Sequence, residues 1–291
     1  MIQTWETQYL DLVEDILRNG DDRVDRTGVG TRAVFGRHLD IDLTQGFPAV
    51  TTKKLAWKAV VSELLWFLEG SSDERRLCEI LHGTRDPSKK TIWSDNAQAD
   101  YWKPKAKFDG DLGPVYGVQW RGWLATIEDG SHRHIDQVVE VINKLKTNPT
   151  DRRMIISAWN VADLGAVALP PCHMMAQFFV EKGRLSCNMY QRSVDTMLGL
   201  PFNIASYALL VHMLAQVTNL QIGRLIMSLG DTHIYSNHLE AAKLQHDRTP
   251  TQPPFLLLNP AIKDIDSFTM ADVGSLGGYT PQESIKMEMA V

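Results

Sequence analysis

A cysteine in the segment Leu169-Pro170-Pro171-Cys172-His173 has the clearest capacity for covalent chemistry in this sequence. Two prolines restrict the backbone before Cys172, so the thiol is held at the edge of a predicted strand. An unperturbed cysteine thiol has a pKa of about 8.5, and a cationic environment raises the fraction present as the reactive thiolate. A small packing residue is the commoner role of a lone cysteine. His173 does not by itself complete a Cys–His pair, because neighbours on a strand point to opposite faces.

A carboxyl group, Glu63, lies within a strongly apolar predicted helix over residues 57–69. Residues at helical spacings of three, four and seven share its face, and they are Ala56, Ala59, Val60, Trp66, Phe67 and Gly70. A carboxyl group among apolar neighbours has a raised pKa and can exchange protons near neutrality. The alternative is that the end of the helix is exposed and Glu63 reaches water.

Arginines form a third group of candidate residues. Arg26 lies in a loop with two glycines, Arg152 and Arg153 precede a predicted strand, and Arg192 is followed by Ser193. Guanidinium groups beside a hydroxyl are suited to bind phosphate through bidentate hydrogen bonds. The Gly-x-Gly of the loop is too short for a dinucleotide-binding or P-loop motif. Together with the thiol, this pattern indicates an enzyme that acts on a small phosphorylated ligand.

Further polar residues could contact such a ligand. Asn203 follows Pro201-Phe202 at a predicted helix start, where an N-cap is the ordinary interpretation. His233 and Tyr235 are two residues apart in an extended segment, so they share one face and could contact a sugar. The sequence has no Cys-x-x-Cys pair and Cys187 lies too far along the chain to form one, so we expect no metal site.

Composition narrows the class of protein. The 291 residues are 44% hydrophobic and 22% charged, which is typical of a globular chain with a large core. The net charge of −5 argues against nucleic acid as the main partner. Three cysteines exclude a disulfide scaffold and favour a reducing compartment. The N-terminus lacks a signal-peptide pattern and the apolar stretch 204–217 is shorter than a membrane span, so we expect a cytoplasmic protein.

Hydrophobic periodicity predicts an α+β chain without repeats or linkers, which we interpret as a single domain over residues 1–291. The stretch 84–107 is the least regular part, and residues 181–183 predict a hairpin turn. The helices are expected near 5–16, 57–69, 135–145 and 203–218, and the strands near 32–43, 154–160, 173–180, 184–190, 222–230 and 254–259.

Long motifs along nearly the whole chain resemble the thymidylate synthase family, in the same order. The carrying segments are Asp25-Arg26-Thr27-Gly28-Val29-Gly30-Thr31, Gly46-Phe47-Pro48, Glu63-Leu64-Leu65-Trp66-Phe67, Gly110-Asp111-Leu112-Gly113-Pro114-Val115-Tyr116-Gly117, Asp151-Arg152-Arg153, Leu169-Pro170-Pro171-Cys172-His173, Tyr190-Gln191-Arg192-Ser193-Val194-Asp195, Gly199-Leu200-Pro201-Phe202-Asn203, Gly230-Asp231-Thr232-His233-Ile234-Tyr235 and Met289-Ala290-Val291. The resemblance implies a mixed β-sheet packed with helices and a sheet-to-sheet homodimer.

The activity implied by this resemblance is the reductive methylation of dUMP to dTMP. The co-substrate would be 5,10-methylenetetrahydrofolate, which supplies the one-carbon unit and a hydride and leaves as dihydrofolate. Cys172 would add to C6 of uracil, because C5 is a poor nucleophile until that addition makes it an enolate. Glu63 would organise the proton transfers with Tyr116. The implied catalytic set is Cys172, Glu63, Tyr116, Arg192, Asp195 and Asn203.

The resemblance also implies how each ligand is held. For dUMP, Arg26, Arg192 and Ser193 would bind the phosphate, and Arg152 and Arg153 would reach the phosphate in the partner subunit. Asn203 would read the uracil edge at O4 and N3, His233 and Tyr235 would bind the deoxyribose 3′-hydroxyl, and Asp195 also belongs to the dUMP-binding set. For folate, Asp195 would bind the pterin and the Val291 end would close over it. The apolar slot for the pterin would consist of Ile92, Trp93, Leu169, Gly199 and Phe202. Lys53 and the basic stretch 84–107 would face the polyglutamate tail, with a solvated loop as the alternative.

Two departures from the family pattern keep alternatives open. Ser94 follows Trp93 where many members have Asp, and residues 277–283 differ from the usual approach to the C-terminal tail. A nucleotide hydroxymethylase, in which water rather than hydride ends the reaction, is the nearest alternative. A cytidylate-specific version is disfavoured, because an acid is expected at Asn203. A catalytically idle nucleotide- or RNA-binding homologue is disfavoured by the intact Cys172 and Glu63.

Overall fold

The computed structural model describes residues 4–24 and 28–288, and its central element is a β-sheet. The strands are β1 (Asp21–Arg23), β2 (Thr31–Asp42), β3 (Trp123–Thr126), β4 (His132–Ile135), β5 (Ile155–Ser157), β6 (His173–Glu181), β7 (Arg184–Asp195) and β8 (Gln221–Tyr235). Six of them form a mixed sheet in the order β1-β2-β8-β7-β6-β5, in which β7 and β8 are parallel and the other neighbours antiparallel. β3 and β4 form a separate hairpin.

Helices cover one face of this sheet. They are α1 (Trp5–Asn19), α2 (Trp57–Leu68), α3 (Glu74–His82), α4 (Ser94–Ala97), α5 (Tyr116–Gly122), α6 (Gln137–Thr147), α7 (Gly199–Thr218) and α8 (Leu239–His246), with 3₁₀ turns at Leu43–Gln45, Lys103–Lys105, Val161–Ala166, Ser236–His238 and Ile265–Ser267. α7 packs against β7, β8 and α2, and one continuous apolar core joins the layers. The α+β prediction with a mixed sheet is confirmed.

α7 is the one described helix long and apolar enough to cross a membrane by length and composition. It is 20 residues long, which exceeds the 14 residues of the apolar stretch read from the sequence, and 78% of its apolar window is buried inside the protein. The surrounding sheet and helices provide that apolar environment, so the helix is the central core helix of this fold.

The strands of the sheet have one covered face and one open face. Along β6, Ala176 and Phe178 point into the core, whereas Met175 and Phe179 are exposed in the single chain. This alternation follows from the two-residue period of a strand, and the strand predicted over 173–180 is confirmed. The turn predicted between β6 and β7 is also confirmed, because Lys182 and Gly183 adopt φ values of 50° and 74°.

The first helix is confirmed, and Gly20 follows its last residue. Thr4 begins α1 by accepting a hydrogen bond from the Thr7 N–H, and Gly20 has an ordinary φ of −73°. A Cβ atom at Gly20 would lie 2.6 Å from the Arg32 Cγ and 2.6 Å from the Ile16 carbonyl oxygen. Glycine is therefore required by the close approach of α1 to β2.

The start of α7 corrects the sequence-based boundary. The helix begins at Gly199 and Leu198 is its N-cap residue, so the N-cap interpretation of Asn203 is wrong. The helix runs through Pro201, because a proline in the first turn has no intrahelical N–H partner to lose. Asn203 consequently lies on the second turn, with its side chain available for the site.

Three other boundaries also differ from the predictions. β5 is limited to Ile155–Ser157, and the expected strand 254–259 contributes only isolated bridges, Phe255 to Gly277 and Leu258 to Val273. The helix expected from residue 135 begins at Gln137, because Asp136 caps it by accepting from the Val139 N–H at 3.0 Å. Local hydrophobicity does not reveal whether a segment has a neighbour to pair with, and capping residues fix helix starts more sharply than apolar spacing.

Candidate active site

Cys172 lies immediately before β6, between α5 and β7. Its backbone N–H donates to the Tyr116 hydroxyl oxygen at 2.7 Å, and its carbonyl accepts from the Arg192 backbone N–H at 2.8 Å. The residue is half-buried, whereas Cys78 and Cys187 are buried. Cys172 is therefore positioned from two sides on a partly accessible edge, and Cys78 and Cys187 occupy the packing positions expected of them.

The Arg192 side chain brings positive charge to the same segment. Its Nε donates to the Pro171 carbonyl at 2.8 Å and its Nη2 donates to the Pro170 carbonyl at 2.9 Å. The guanidinium also lies over the Trp159 ring, 5.3 Å from the centroid. These contacts fix a permanent cation beside the segment that carries Cys172, which is the environment that favours a thiolate.

Glu63 is buried on α2, so the alternative in which it reaches water is wrong. The Trp93 indole N–H donates to its Oε1 at 2.7 Å. Burial raises the pKa of the Glu63 carboxyl to about 7, while the hydrogen bond from Trp93 acts in the opposite direction. A carboxyl group with this pKa is close to half-protonated at neutral pH, so it can both donate and accept a proton.

An aromatic cluster joins Glu63 to Cys172. The Tyr116 ring stacks on the His173 ring with centroids 4.0 Å apart, and it meets the Trp93 ring at 5.9 Å. Burial raises the pKa of Tyr116 well above its usual range, so its hydroxyl stays neutral. Burial also lowers the pKa of His173 to about 3, and its Nδ1 lies 2.9 Å from the Tyr207 hydroxyl. His173 is therefore a neutral core residue rather than a base for Cys172.

The parallel pairing of β7 and β8 brings a second group of predicted residues together. Asp195 lies opposite His233 in the register, and Ser193 lies opposite Asp231. The His233 Nδ1 is 3.0 Å from an Asp231 carboxylate oxygen, and its ring meets that of Tyr235 at 5.3 Å. The predicted shared face of His233 and Tyr235 is confirmed.

Gln191 is a residue that the sequence reasoning missed. Its side-chain amide donates to the Asn203 Oδ1 at 3.1 Å and to the Ser193 carbonyl at 3.0 Å. Its own Oε1 is buried and has no partner among the described residues. Gln191 therefore holds Asn203 in one orientation and leaves a buried acceptor. Its sequence signals are its polar type, directly after the strand predicted over 184–190, and its place in the motif that contains Arg192.

The turn between β7 and α7 carries the residues predicted to face folate. The Asp195 Oδ1 accepts the backbone N–H groups of Met197 at 3.0 Å and Leu198 at 3.1 Å, directly before Gly199. Lys53 is buried, its ammonium group donates to the Met197 carbonyl, and burial lowers its pKa to about 8. In the chain alone Lys53 thus braces this turn, and its contact with a polyglutamate tail stays a prediction.

Three of the remaining predicted folate residues are apolar and incompletely buried. Leu169 and Phe202 pack partly buried on the core, and Ile92 is 48% exposed next to the buried Trp93. Apolar side chains that are partly open, together with a hydrogen-bonding Asp195, fit a flat heteroaromatic ligand with a polar edge. The residues present are therefore compatible with a pterin.

Arg152 and Arg153 are not brought into the site of their own chain. Both side chains are exposed, and the Arg152 carbonyl accepts from the Gln177 amide at 3.1 Å. Gln177 lies roughly 16 Å along β6 from Cys172, at about 3.3 Å per residue. Two other predicted residues, Arg26 and Val291, lie outside the described residues.

A metal centre or an open cleft would be another kind of site. Among residues 4–24 and 28–288, no group of three or more His, Cys, Asp or Glu side chains is placed to hold a metal ion. A cleft of about 970 Å³ lies between α2 and residues 265–271, and the described residues that line it include none of the predicted site residues. The chemistry-bearing side chains therefore concentrate around Cys172 and the ends of β7 and β8.

A positioned thiol, a neighbouring cation and a proton-exchanging carboxyl on a mixed α+β fold define a class of enzyme that acts through nucleophilic addition. Comparison with known protein families then identifies the particular enzyme family. The family model of thymidylate synthase matches residues 7–291, and the chain belongs to this family. The resemblance read from the motifs is confirmed. The chain is therefore a methyltransferase of dTMP biosynthesis that acts on dUMP, in a folate-dependent family.

Proposed function

We propose that this chain converts dUMP to dTMP with 5,10-methylenetetrahydrofolate as the donor, through a covalent adduct between Cys172 and C6 of uracil. The observation that carries the proposal is the placement of Cys172 between the Tyr116 hydroxyl and the Arg192 backbone and side chain. A thiol held at a fixed place beside a cation is suited to a nucleophilic role.

The first step is the addition of the Cys172 thiolate to C6. The S–C6 bond forms, and the electron pair of the C5–C6 double bond moves towards C5 and O4 as an enolate. Asn203, oriented by Gln191, would hydrogen-bond the uracil edge at O4 and N3 where this charge develops. The adduct makes C5 nucleophilic, and elimination of the thiolate at the end restores the double bond.

Glu63 would serve the proton transfers between these steps. The carboxyl needs to give and take a proton within one cycle, and a pKa of about 7 makes both states available at neutral pH. The Trp93 indole holds one carboxyl oxygen, and the neutral Tyr116 hydroxyl lies between this region and the Cys172 backbone. The proton that leaves C5 would pass to solvent through this group.

Binding of dUMP would use the strand ends. Arg192 and Ser193 would face the phosphate, while His233 and Tyr235 would contact the deoxyribose hydroxyl. The observation in support is that β7 and β8 bring these side chains to one edge of the sheet, next to Cys172. Arg26 would add a further cation from the loop before β2.

The folate co-substrate, when bound, supplies the one-carbon unit and the hydride that make the new methyl group. Trp93, Leu169 and Phe202 would form the apolar slot for its pterin, and Asp195 would hydrogen-bond the polar edge. The turn that carries Asp195 is already braced by its bonds to the following backbone N–H groups and by Lys53. A slot of this kind excludes water from the reacting carbon.

The working unit would be a homodimer in the cytosol. On the open face of the sheet Ile155, Met175 and Tyr190 are 37–38% exposed and Phe179 is 60% exposed. Such apolar side chains on one sheet face are suited to bury against a second copy. The distance of Arg152 from its own Cys172 supports the proposal that this arginine and Arg153 serve the partner's phosphate site.

Product analysis tests the proposed function. The protein is incubated with dUMP and 5,10-methylenetetrahydrofolate, and both nucleotide and folate products are identified, with Cys172→Ala as the control. We expect dTMP with dihydrofolate from the natural chain and no turnover from the variant. Hydroxymethyl-dUMP with tetrahydrofolate would instead support the hydroxymethylase, and bound nucleotide without any product would support an idle binding homologue.

A further inference from the structure

The Trp93 indole reaches Glu63 from a short turn over residues 91–94. Two hydroxyl groups close this turn: the Thr91 N–H donates to the Ser94 Oγ at 2.8 Å, and the Trp93 N–H donates to the Thr91 Oγ1 at 3.1 Å. The Ser94 N–H also donates to the Thr91 carbonyl at 3.3 Å. The position of the indole therefore depends on how these two hydroxyls are held.

Both hydroxyls donate to the same carboxylate oxygen, the Oε1 of Glu74. The Thr91 Oγ1 and the Ser94 Oγ each lie 2.6 Å from it. Glu74 begins α3 and is only 2% exposed, so these short bonds are made in an interior where unpaired charge is costly. Hydrogen bonds to a buried carboxylate are among the stronger constraints that a turn can receive.

Arg75 neutralises this carboxylate and completes the cluster. Its Nε donates to the Glu74 Oε2 at 2.6 Å and its Nη2 donates to the Oε1 at 2.6 Å. The same Nη2 lies 3.2 Å from the Ser94 Oγ. Both hydroxyls of the turn are thus tied to the first turn of α3, and among the described residues no hydrogen bond joins Glu74 or Arg75 to Glu63 or Cys172.

We propose that Glu74 is a positioning residue for the reaction: it fixes the turn 91–94 so that the Trp93 indole holds the Glu63 carboxyl in its working orientation. This inference rests on the proposed role of Glu63 in proton transfer. The other titratable groups of the Glu63 environment are Tyr116, which is coupled electrostatically to Glu63 and Cys172, and the His173 that stacks on it. None of them contacts Glu74 in the described part of the chain.

The substitution Glu74→Ala tests the proposal. The turn loses its common acceptor, so we expect kcat to fall about tenfold through misplacement of Glu63, with the KM for dUMP within about twofold of the natural value. Loss of the Trp93 bond raises the pKa of Glu63, so the pH profile of kcat is expected to move to higher pH. Glu79→Ala is the matched control, because Glu79 lies on the same helix, is only partly buried and pairs with Arg76 and Arg85.

A compensating variant distinguishes a positioning role of Glu74 from a general loss of structure in Glu74→Ala. In the Glu74→Ala background, Ser94→Asp places a carboxylate within reach of the Arg75 Nη2 and the Thr91 N–H, and we expect most of kcat and the natural pH profile to return. Ser94→Asp alone puts two carboxylates together and lowers kcat. If Glu74→Ala does not fold, Ser94→Ala removes one of the two hydroxyls and is expected to lower kcat about threefold with the same shift in profile.

Unchanged kcat and pH profile in Glu74→Ala, or a fall in thermal stability alone, would overturn the proposal. So would an equal loss in Glu79→Ala, or failure of Ser94→Asp to compensate. Glu63→Gln distinguishes this failure from that of the proposed function. If Glu63→Gln is inactive while Glu74→Ala is unaffected, only the positioning role is wrong; if Glu63→Gln is fully active, the proposed role of Glu63 itself is wrong.

Discussion

Glu63 shows how a single side chain can be tuned by what surrounds it. Its helix places it among apolar residues, which raises the pKa of the carboxyl to about 7, and the Trp93 indole limits that rise. In the unfolded chain the same carboxyl has a pKa of about 4.3. The folded protein therefore holds a proton on Glu63 over a pH range in which the unfolded chain has released it.

This difference makes the stability of the fold depend on pH. Between about pH 4.5 and 7 the folded state binds more protons at Glu63 than the unfolded state does. The stability that Glu63 contributes is therefore fully present at low pH and is lost as the pH rises through 7. Glu63→Gln removes this loss, and we expect it to stabilise the fold by about 3 kcal/mol at pH 8 and by little at pH 4.5. Its kcat is expected to fall by about 10² or more.

Urea unfolding at several pH values measures this effect. The difference between variant and natural chain isolates Glu63, because His173 and the other titrating groups are present in both. Glu69→Gln is the control, since Glu69 lies at the end of the same helix, is exposed and pairs with Arg76. Equal stability differences for Glu63→Gln at pH 4.5 and pH 8 would show that the carboxyl is not buried as described.

At the scale of elements, α1 is fastened to the segment before α2 by one buried carboxylate. The Glu6 Oε1 accepts the backbone N–H groups of Thr51 and Thr52 and the Thr52 hydroxyl, each at 2.8 Å, and its Oε2 accepts the Thr51 hydroxyl at 2.7 Å. This arrangement sets the direction in which the next residue, Lys53, enters the interior. A terminal helix thereby helps to brace the turn that carries Asp195.

Removing this carboxylate leaves four buried donors without their acceptor. We expect Glu6→Ala to lower the free energy of unfolding by about 3 kcal/mol, seen as a lower urea midpoint with an unchanged m-value at equal protein concentration. Glu14→Ala on the same helix breaks a surface pair with Arg18 and a longer contact of 3.9 Å with His246, and is expected to cost less than about 1 kcal/mol. Similar losses in the two variants would contradict the described role of Glu6.

Sequence periodicity located elements where apolar residues recur regularly, as in β2 and α1. It failed at residues 254–259, where apolar residues have no continuous neighbouring strand, and at the start of α7, where a proline lies inside the first turn. The same limit applies to the site. The motifs gave Cys172, Glu63 and the strand-end residues, whereas Gln191 and Glu74 act through contacts between distant segments, which spacing along the chain cannot show.

At the scale of the whole molecule, the C-terminal part runs across the N-terminal half as a strap. Tyr279 donates to the Val50 carbonyl at 2.7 Å, the Gln282 N–H donates to the Thr51 carbonyl at 2.8 Å, and the His238 Nε2 lies 2.7 Å from the Glu288 carbonyl. Residues 277–283, which depart from the family pattern, therefore still attach this strap to the segment that precedes Lys53, and Glu288 attaches it to His238 after β8.

The proposed dimer predicts that two inactive chains can restore each other. When Cys172→Ala is mixed with the double variant Arg152→Ala/Arg153→Ala and subunits exchange, the mixed dimer holds one complete site. Random pairing gives half mixed dimers with one of two sites active, so we expect about one quarter of the natural activity. A mixture of Cys172→Ala with Glu63→Gln is the control and should recover nothing, because both residues belong to one chain's site. No recovery in the first mixture would contradict the shared phosphate site.

The central claim, a bond between Cys172 and C6 of the nucleotide, is tested most directly by trapping the adduct. In 5-fluoro-dUMP a fluorine replaces the C5 proton that must leave, so the reaction is expected to stop with the S–C6 bond intact. Intact-protein mass spectrometry after incubation with this nucleotide and 5,10-methylenetetrahydrofolate should show the added mass of both ligands, mapped to the peptide with Cys172 and absent from Cys172→Ala. An unmodified protein, or an adduct on Cys78 or Cys187, would contradict the mechanism.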